Sequence, residues 1–506
     1  MKYSPYKISL ILSLVLLALY GLTYFSSSKE TEEGKYQEGF FVGDFIIKYP
    51  LTSTFLEQQK ELAKADHKIL DSIVANVEEL IVKEDEPETI REIVIEEGPT
   101  ITLPFVPKIP DLSKTDTSKV QRIRYPDPKF DFIDNLRENL RSPNCRIIHY
   151  GDSQIEGDRI SAYLRNRLQG LYGGSGPGFV PIVQVYNSIS ASVTHSENWT
   201  RHAYFDPKQE KFEHKKYGAY NSLSRFTMDY GPDIDSTLLS SLPLVKATIT
   251  IGIPTKSYGS LKKFSRVGLH YGNALAPTSV KVYKDDVLIK SESLIADGNY
   301  HKFNIELAST PDILQIVIES KISPDFYGLT LDGTNGISLD NVAMRGSSGT
   351  VFAGTNATTF QQMYNELKPK LLIFQYGGNA VPYLKDSAKV KEYSNYIKNH
   401  VLWAKRKAGN ASVIFVGPSD MTTTINGQME TYPLLPFFNE TLQDICLKNG
   451  IAYWDMFKAM GGKNAMKYWV EQQLAANDYT HFSPSGTKVV SELFFLALYL
   501  DINDIL

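Results

Sequence analysis

The sequence predicts an α/β fold in which a parallel β-sheet is covered by helices on both faces and is interrupted by an all-β insertion. Four short apolar runs are typical of buried strands and lie at 146–150, 370–376, 411–417 and 451–455. Three segments with helical spacing fall between them and lie at 360–367, 390–404 and 438–446. Because strands that alternate with helices form parallel sheets with helices on both faces, we expect three layers.

The insertion is indicated by a loss of helical periodicity between about residues 187 and 336. Three segments in this region alternate as antiparallel strands do, and they lie at 246–253, 279–284 and 312–320. We therefore predict a β-sandwich inserted after the first strand–helix unit of the α/β domain.

The overall composition excludes several classes of protein. With 53 basic and 57 acidic residues, the net charge of −4 provides no general attraction for nucleic acid. The two cysteines, Cys145 and Cys446, are too few for a disulfide-stapled scaffold or a cysteine-rich zinc site. None of the nine histidines pairs with another at metal-ligand spacing, and we expect neither a metal nor another cofactor.

An uncharged apolar run extends from Ile8 to Phe25, follows Lys2 and Lys7, and is just long enough to span a bilayer. Lysines before the run predict a cytoplasmic N-terminus and export of the rest of the chain. The alternative is a cleaved signal peptide, but the run is longer than usual for one and the residues after Phe25 form a poor cleavage site. We predict a single-pass signal anchor over residues 1–28.

Residues 29–128 are expected to form a stalk. Apolar residues recur at nearly heptad spacing from 55 to 81, which is typical of an amphipathic or coiled-coil helix. The next stretch, 84–97, holds seven carboxylates and one arginine, and four prolines follow it closely. Such a sequence stays extended and cannot bury a core, so we interpret it as a spacer; a partner-docking segment is the alternative.

The first predicted strand leads into Gly151-Asp152-Ser153, and helical spacing begins soon afterwards at Ile160. In an open α/β sheet, ligands bind beyond the carboxyl ends of the strands, where a helix N-terminus offers N–H groups to an anion. Ser153 is well placed there to act as a nucleophile. Serine and aspartate are also favoured helix N-caps, which is the alternative interpretation of this tripeptide.

A second motif lies near the C-terminus, where Asp478 precedes His481 by three positions. A serine needs a base to become a nucleophile at neutral pH, and a histidine base needs a carboxylate to fix its tautomer. Ser153, His481 and Asp478 would fill these three roles. The alternative is a chance pairing in a surface loop.

Three further positions are candidates because they follow predicted strands or the insertion. The Asn379 side chain, in Gly377-Gly378-Asn379, can donate to an oxyanion, and the glycines let a substrate approach the backbone. Gly346 can offer its backbone N–H to the same oxyanion. Asp420 follows another strand and either lines the cleft or forms a turn. For Gly377-Gly378, too, the alternative is a simple turn.

In this order along the chain, the motifs resemble those of the SGNH (GDSL-type) hydrolase superfamily. The resemblance implies a flavodoxin-like three-layer sheet and a serine hydrolase mechanism without metal. It assigns the nucleophile to Ser153, the oxyanion hole to Ser153, Gly346 and Asn379, and the rest of the triad to His481 and Asp478. Many members have an aspartate after the asparagine, where this chain has Ala380.

The inserted β-domain makes the architecture similar to that of bacterial peptidoglycan O-acetylesterases, whose insert resembles a carbohydrate-binding jelly roll. The resemblance implies a discontinuous hydrolase domain at 129–186 and 337–506 around an insert at 187–336. Independently of the resemblance, Gly378 and Asp420 are expected substrate contacts because each follows a predicted strand.

The anchor and the resemblance together imply an exported, membrane-tethered serine esterase that removes O-acyl groups, chiefly O-acetyl, from a cell-envelope polysaccharide such as peptidoglycan. The expected location is the bacterial inner membrane, with the catalytic domain in the periplasm. An O-acyltransferase, in which a sugar hydroxyl intercepts the acyl-enzyme, is one alternative, and a non-catalytic polysaccharide-binding scaffold is another. The expected partners are the acylated polysaccharide, the membrane and a membrane acyltransferase; nucleic acid is not among them.

Overall fold

The computed structural model of the 506-residue chain describes residues 10–15, 19–21, 24, 27–30, 36–42, 45–48, 105–231 and 234–504. The chain divides into two compact units, Met1–His67 and Lys68–Leu506. The predicted stalk helix at 55–81 and the acidic stretch at 84–97 lie outside the described residues.

The first unit contains short helical pieces and a small sheet. Strands β1 (Ser27–Glu30), β2 (Tyr36–Val42) and β3 (Phe45–Lys48) pair antiparallel in that order. This sheet corrects our expectation of a helical and extended stalk from residue 29; the Gly43-Asp44 pair between β2 and β3 is a hairpin signal in the sequence. The predicted anchor at 8–25 lies partly outside the described residues, and within those described no helix is long and apolar enough to cross a bilayer.

The second unit contains the remaining described elements. Its strands are β4 (Asn144–Gly151), β5 (Gly178–Val180), β6 (Ser192–His195), β7 (Thr200–Ala203), β8 (Ser222–Arg225), β9 (Val245–Gly252), β10 (Arg266–Gly272), β11 (Thr278–Lys284), β12 (Val287–Ser293), β13 (His301–Glu306), β14 (Ile313–Ser320), β15 (Asp325–Asp332), β16 (Gly336–Ala343), β17 (Pro369–Gln375), β18 (Ser412–Val416), β19 (Thr422–Ile425), β20 (Gln428–Thr431) and β21 (Ala452–Trp454). Its α-helices are α1 (Lys129–Arg141), α2 (Arg159–Tyr172), α3 (Ser236–Ser241), α4 (Ala357–Leu367), α5 (Ser387–Lys407), α6 (Leu435–Lys448), α7 (Met456–Ala459), α8 (Ala465–Glu471) and α9 (Pro484–Ile502).

A five-stranded parallel sheet forms the centre of the α/β domain, with strand order β16-β4-β17-β18-β21. The predicted α/β fold with a parallel sheet is therefore confirmed. Four of these strands coincide with the predicted apolar runs, and the edge strand β16 was not predicted. Its sequence, GISLDNVA, lacks a continuous apolar run because Ser338, Asp340 and Asn341 interrupt it.

Helices cover the sheet on both faces, which gives three layers. Alternate residues of β4 point to opposite faces: Ile147 belongs to one core and Ile148 to the other. Helices α1, α2 and α9 bury their apolar side chains in the first core, whereas α4, α5 and α6 bury theirs in the second. The carboxyl ends of the strands therefore stay open at one edge, where ligands bind in folds of this type.

The inserted region contains two antiparallel sheets that share one core. One sheet has the order β13-β10-β15-β8-β7 with β5 added beside β15, and the other has the order β12-β11-β14-β9-β6. Apolar residues of β9, β11 and β14 meet those of β10, β13 and β15 in a common cluster. Because β5 pairs with β15, strand contributions to this sandwich begin at Gly178, ahead of the boundary that we expected at 187.

The segment before α1 also departs from the predicted boundary at 129. Val120, Ile123 and Tyr125 are buried in the first core of the α/β domain. Arg124 pairs with Tyr453 of the last sheet strand through two backbone hydrogen bonds of 2.8 Å. The chain therefore joins the α/β domain before the end of the predicted stalk.

Candidate active site

Ser153 lies where β4 ends at the open edge of the sheet. It is the first residue of a short 3-10 helix, Ser153–Asp158, which leads directly into α2. The Asp152 carboxylate caps this helix by accepting the Gln154 N–H at 3.0 Å. The N-cap interpretation of the sequence motif therefore applies to Asp152. Ser153 keeps its hydroxyl free for other partners, and its backbone N–H has no acceptor within the helix.

Ser153, His481 and Asp478 form a continuous chain of hydrogen bonds. Ser153 Oγ lies 2.9 Å from His481 Nε2, and His481 Nδ1 lies 2.7 Å from Asp478 Oδ2. The other carboxylate oxygen of Asp478 accepts the backbone N–H groups of Thr480 and His481, each at 3.0 Å. The three-residue spacing of the motif thus folds into a tight turn that holds the carboxylate against the imidazole.

The loop that carries His481 is tied to the helix that carries Ser153. Gln154 donates through Nε2 to the Thr480 carbonyl at 2.7 Å. Arg159 donates to the Ser153 carbonyl at 2.8 Å and to the Phe482 carbonyl at 3.4 Å. Gln154 and Arg159, which follow Ser153 along the chain, therefore fix the separation of the serine and the histidine, and the sequence motifs did not point to either.

Opposing effects set the charge of Asp478. Partial burial raises the pKa of its carboxyl, but hydrogen bonds from the His481 backbone and ring and from the Thr480 N–H lower it, and the net pKa lies below the ordinary value. The carboxylate is therefore ionised at neutral pH. An ionised carboxylate fixes the N–H of the imidazole on Nδ1 and leaves Nε2 able to accept the serine proton.

The amide of Asn379 is held beside the serine. Its Nδ2 donates to Asp152 Oδ2 at 3.2 Å and to the Ser347 carbonyl at 3.1 Å. Both protons of the amide are thus engaged, and donation to an oxyanion requires one of these long bonds to be shared or exchanged. Gly377, with φ of +125°, lets the loop pack against Pro418 before it reaches Asn379.

Gly346 lies in the loop after β16 and has φ of +76°, a conformation that glycine adopts without strain. A side chain built at this position would meet no atom within 4 Å, so the Cα of Gly346 is open on that side.

Asp152 is a buried carboxyl in direct contact with the site. Burial raises its pKa to about 6, although hydrogen bonds from Gln154 and Asn379 and the positive charge of protonated His481 act in the opposite direction. Its two oxygens hold the helix start and the Asn379 amide, respectively. Asp152 thus connects the serine-bearing helix to the loop of Asn379.

These groups open into one cavity of about 400 Å³ at the carboxyl ends of the strands. Ser153, His481, Gly346, Gly378 and Asn379 all line it, and Asp478 lies behind the histidine. The structure therefore brings together every predicted residue of the triad and the oxyanion hole. Within the described chain, no three histidine, cysteine or carboxylate side chains converge as metal ligands would.

The prediction that Asp420 lines the cleft is wrong. This residue is fully buried, accepts the Thr431 hydroxyl at 2.8 Å and the Met466 N–H at 2.7 Å, and does not line the cavity. Its carboxylate instead fixes the β19–β20 hairpin and the start of α8. Its neighbours Ser419 and Met421 line the cavity in its place.

Comparisons with known proteins address the fold. No protein-family model and no curated protein matches the sequence. Among solved structures, a peptidoglycan O-acetylesterase matches with a TM-score of 0.57 and 18% identity, over 74% of this chain and 96% of its own. This chain shares the fold of that solved structure. At that identity the likeness establishes the fold and not the activity.

Two other solved structures match smaller parts of this chain. A family two carbohydrate esterase from Clostridium thermocellum matches with 10% identity and a TM-score of 0.21, over 51% of this chain and 93% of its own. A GDSL-like lipase from Parabacteroides merdae matches with 14% identity and a TM-score of 0.25, over 32% of this chain and 74% of its own. These low scores carry no argument about the activity of this chain.

The cavity also contains aromatic residues that the sequence motifs did not point to. Tyr383 lines the cavity and is 76% exposed, and Tyr432 lines it from the segment after the β19–β20 hairpin. An exposed aromatic ring at the mouth of a polar cavity offers an apolar face to a bulky ligand. The sequence could have indicated Tyr383 as a cavity residue, because it lies only four positions after Asn379.

Proposed function

We propose that this chain is a serine esterase that removes O-acetyl groups from a cell-envelope polysaccharide such as peptidoglycan. The observation that carries the proposal is the hydrogen-bonded chain from Ser153 through His481 to Asp478, at the open edge of the parallel sheet. A serine, a histidine and an ionised carboxylate in this order form the arrangement that activates a hydroxyl for attack on an ester.

In the proposed reaction, Ser153 Oγ attacks the ester carbonyl while His481 Nε2 takes the hydroxyl proton. The negative charge on the carbonyl oxygen is stabilised by the backbone N–H groups of Ser153 and Gly346 and by the Asn379 amide. The imidazolium, stabilised by Asp478, then protonates the departing sugar oxygen. This leaves an acetyl group on Ser153, which water attacks with His481 as base, so that acetate is released and the serine is restored.

The Asn379 amide has a defined part in this proposal. Its bonds to Asp152 and to the Ser347 carbonyl are long, at 3.2 and 3.1 Å. A developing oxyanion is a stronger acceptor than a neutral carbonyl, because charge-assisted hydrogen bonds are shorter and stronger. Asn379 therefore exchanges its bond to Ser347 for one to the oxyanion, while Asp152 keeps the amide oriented.

Three observations support the proposal of a polysaccharide substrate. The fold is like that of a peptidoglycan O-acetylesterase. The cavity is small and open to solvent, which suits a short acyl group on a large polymer. The β-sandwich lies beside the α/β domain, since β5 and β16 pack closely. A polymer-binding surface on the sandwich would raise the concentration of polymer near Ser153.

We also propose that the chain is tethered to the bacterial inner membrane with this site on the periplasmic side. The support is the uncharged run from Ile8 to Phe25, preceded by Lys2 and Lys7. Envelope polysaccharide is assembled on that side of the membrane, so the location agrees with the substrate.

The deciding experiment incubates the detergent-solubilised full chain with O-acetylated peptidoglycan and measures free acetate, with Ser153→Ala as the control. We expect acetate release that depends on Ser153 and does not require an added sugar acceptor. If acetyl groups instead appear only on an added glycan acceptor, the chain is an O-acyltransferase. If neither product forms while a small acetyl ester is also left intact, the proposal is wrong.

A further inference from the structure

A second cavity, of about 480 Å³, adjoins the first and is walled by both the α/β domain and the β-sandwich. The α/β domain contributes residues 156–158, which begin three positions after Ser153, the end of β16 and the loop after it. The sandwich contributes Arg201, Ala203 and residues 205–209. Arg345 and Gly346 line both cavities, which therefore meet at these two residues.

Arg201 is the unusual residue of this second cavity. It extends from β7 with its guanidinium 5.5 Å from the centre of the Phe205 ring. Its Nε is buried and has no hydrogen-bond partner among the described residues. Buried donors are almost always paired, and leaving a charged one unpaired is costly. Nε itself is enclosed by protein, whereas the two terminal nitrogens of Arg201 are not enclosed and Arg201 lines the cavity, so these terminal N–H groups are the donors that a ligand can reach.

None of the described carboxylates around the cavity accepts a hydrogen bond from Arg201. Each already has another partner: Glu156 accepts from Arg345 at 2.8 Å, Asp158 from Arg165 at 2.7 and 3.1 Å, and Asp206 from the Lys208 N–H at 3.0 Å. Glu156 and Asp206 act on Arg201 only through their charge. The cavity wall thus contains an arginine from which no neighbouring carboxylate of the described chain accepts a hydrogen bond.

Arg345 adds a second cation to the same wall. Its side chain is 55% exposed, lies 5.1 Å from the centre of the Tyr186 ring, and donates to the Tyr186 hydroxyl at 2.7 Å. Only one of its nitrogens makes these bonds, so the remaining N–H groups of the guanidinium stay accessible. Two arginines therefore line the path that leads from the catalytic serine onto the sandwich.

From these contacts we infer that the second cavity binds a carboxylate carried by a sugar of the same polymer. This inference rests on the proposed function and narrows its substrate to glycans in which an acetylated sugar lies near an acidic one. The planar guanidinium of arginine matches a carboxylate with two parallel hydrogen bonds. Arg201 makes this bidentate contact, and Arg345 contributes its positive charge from the neighbouring wall.

The test measures binding and does not depend on turnover. Isothermal titration calorimetry is carried out on the full chain carrying Ser153→Ala, with a short oligogalacturonide as the probe. The same oligomer with its carboxylates converted to methyl amides is the matched ligand. Arg201→Gln is the test variant, Arg201→Lys the conservative variant, and Arg406→Gln the control, because Arg406 is exposed in the last turn of α5.

We expect the methyl amide and the Arg201→Gln variant each to weaken binding by at least about tenfold, since a charge-assisted bond to the Arg201 guanidinium is lost. Arg201→Lys restores part of the affinity, and Arg406→Gln leaves it unchanged. Equal affinity for the acid and the amide, or no measurable binding of the acid, overturns the inference. So does binding of a short acidic peptide in preference to the sugar acid.

The outcome stays distinguishable from that of the proposed function. If the chain binds the sugar acid through Arg201 but releases no acetate from any ester, the esterase proposal fails and the carboxylate site stands. If it releases acetate equally from carboxylated and amidated O-acetyl polyuronate, the esterase proposal stands and the carboxylate site fails.

Discussion

Replacing Asp152 by asparagine removes a carboxyl that is 4% exposed and whose pKa is raised by burial from 3.8 to about 6. The folded state binds this proton more tightly than the unfolded chain does. The stabilisation that results is complete below about pH 4 and is lost as the pH rises through about 6. A rise from 3.8 to about 6 corresponds to about 3 kcal/mol in the free energy of unfolding.

The asparagine variant carries no titrating group at this position, and its amide oxygen can still accept the Gln154 N–H that Asp152 accepts at 3.0 Å. The unfolding free energy of the wild type minus that of Asp152→Asn should therefore fall by about 2 kcal/mol between pH 4 and pH 7, since part of the effect is already lost at pH 4. Urea unfolding of the detergent-solubilised chain, followed by tryptophan fluorescence, measures this difference.

Asp131→Asn is a suitable control, because Asp131 is exposed in the first turn of α1. The wild type minus this control should show no comparable change over the same pH range. A difference between wild type and Asp152→Asn that stays constant from pH 4 to pH 7 would refute the argument that burial shifts this carboxyl.

The remaining predictions concern turnover. Ser153→Ala and His481→Ala should each reduce kcat/KM for acetyl esters by about 10⁴-fold or more, because triad members act as a unit; near wild-type rates in a folded variant would contradict this. Asp478→Asn should cost less, about 10²- to 10⁴-fold, because it disturbs the tautomer and leaves the base in place, and a loss equal to that of His481→Ala argues against this ranking. Asn379→Ala should lower kcat by about 10²- to 10³-fold with little change in KM, and a rise in KM alone would make it a substrate contact. Tyr383→Ala should raise KM for acetylated polymer about fivefold relative to a small ester, and equal changes on both substrates would mean that the ring does not contact the polymer.

The parts of the site that the sequence predicted are local in the chain. Gly151 to Ser153 lies within one strand-to-helix turn, and Asp478 and His481 lie within another, so each motif carries most of its own geometry. Hydrophobic periodicity likewise predicts the buried strands and helices, because burial on one face leaves a period in the sequence.

Features that depend on distant pairings were not predictable in this way. Asn379 meets Asp152 across 227 positions, and nothing in either local sequence indicates that contact. The edge strand β16 is partly covered and polar, so it carries no apolar run. Asp420 was expected at the cleft because it follows a strand, yet the β19–β20 hairpin and α8 fold over its carboxylate.

Arg201 of the sandwich is another site residue that the sequence pattern could not predict. A strand-alternation pattern predicts which residues face the core, but it does not tell which residues face a neighbouring domain. The cavity around Arg201 exists only because residues 156–158 and the loop after β16 come from the α/β domain. A site formed between two domains leaves its signal in their packing and not in either sequence pattern.

The most direct test of the central claim is to trap the acetyl-enzyme. Full-length protein is mixed rapidly with an acetyl ester, quenched in acid, digested and examined by mass spectrometry. The account predicts that the peptide containing Ser153 gains the mass of one acetyl group, and that Asp478→Asn and His481→Ala abolish or strongly reduce this adduct. Acetylation of a different residue, or ester cleavage that proceeds unchanged in Ser153→Ala, would contradict it.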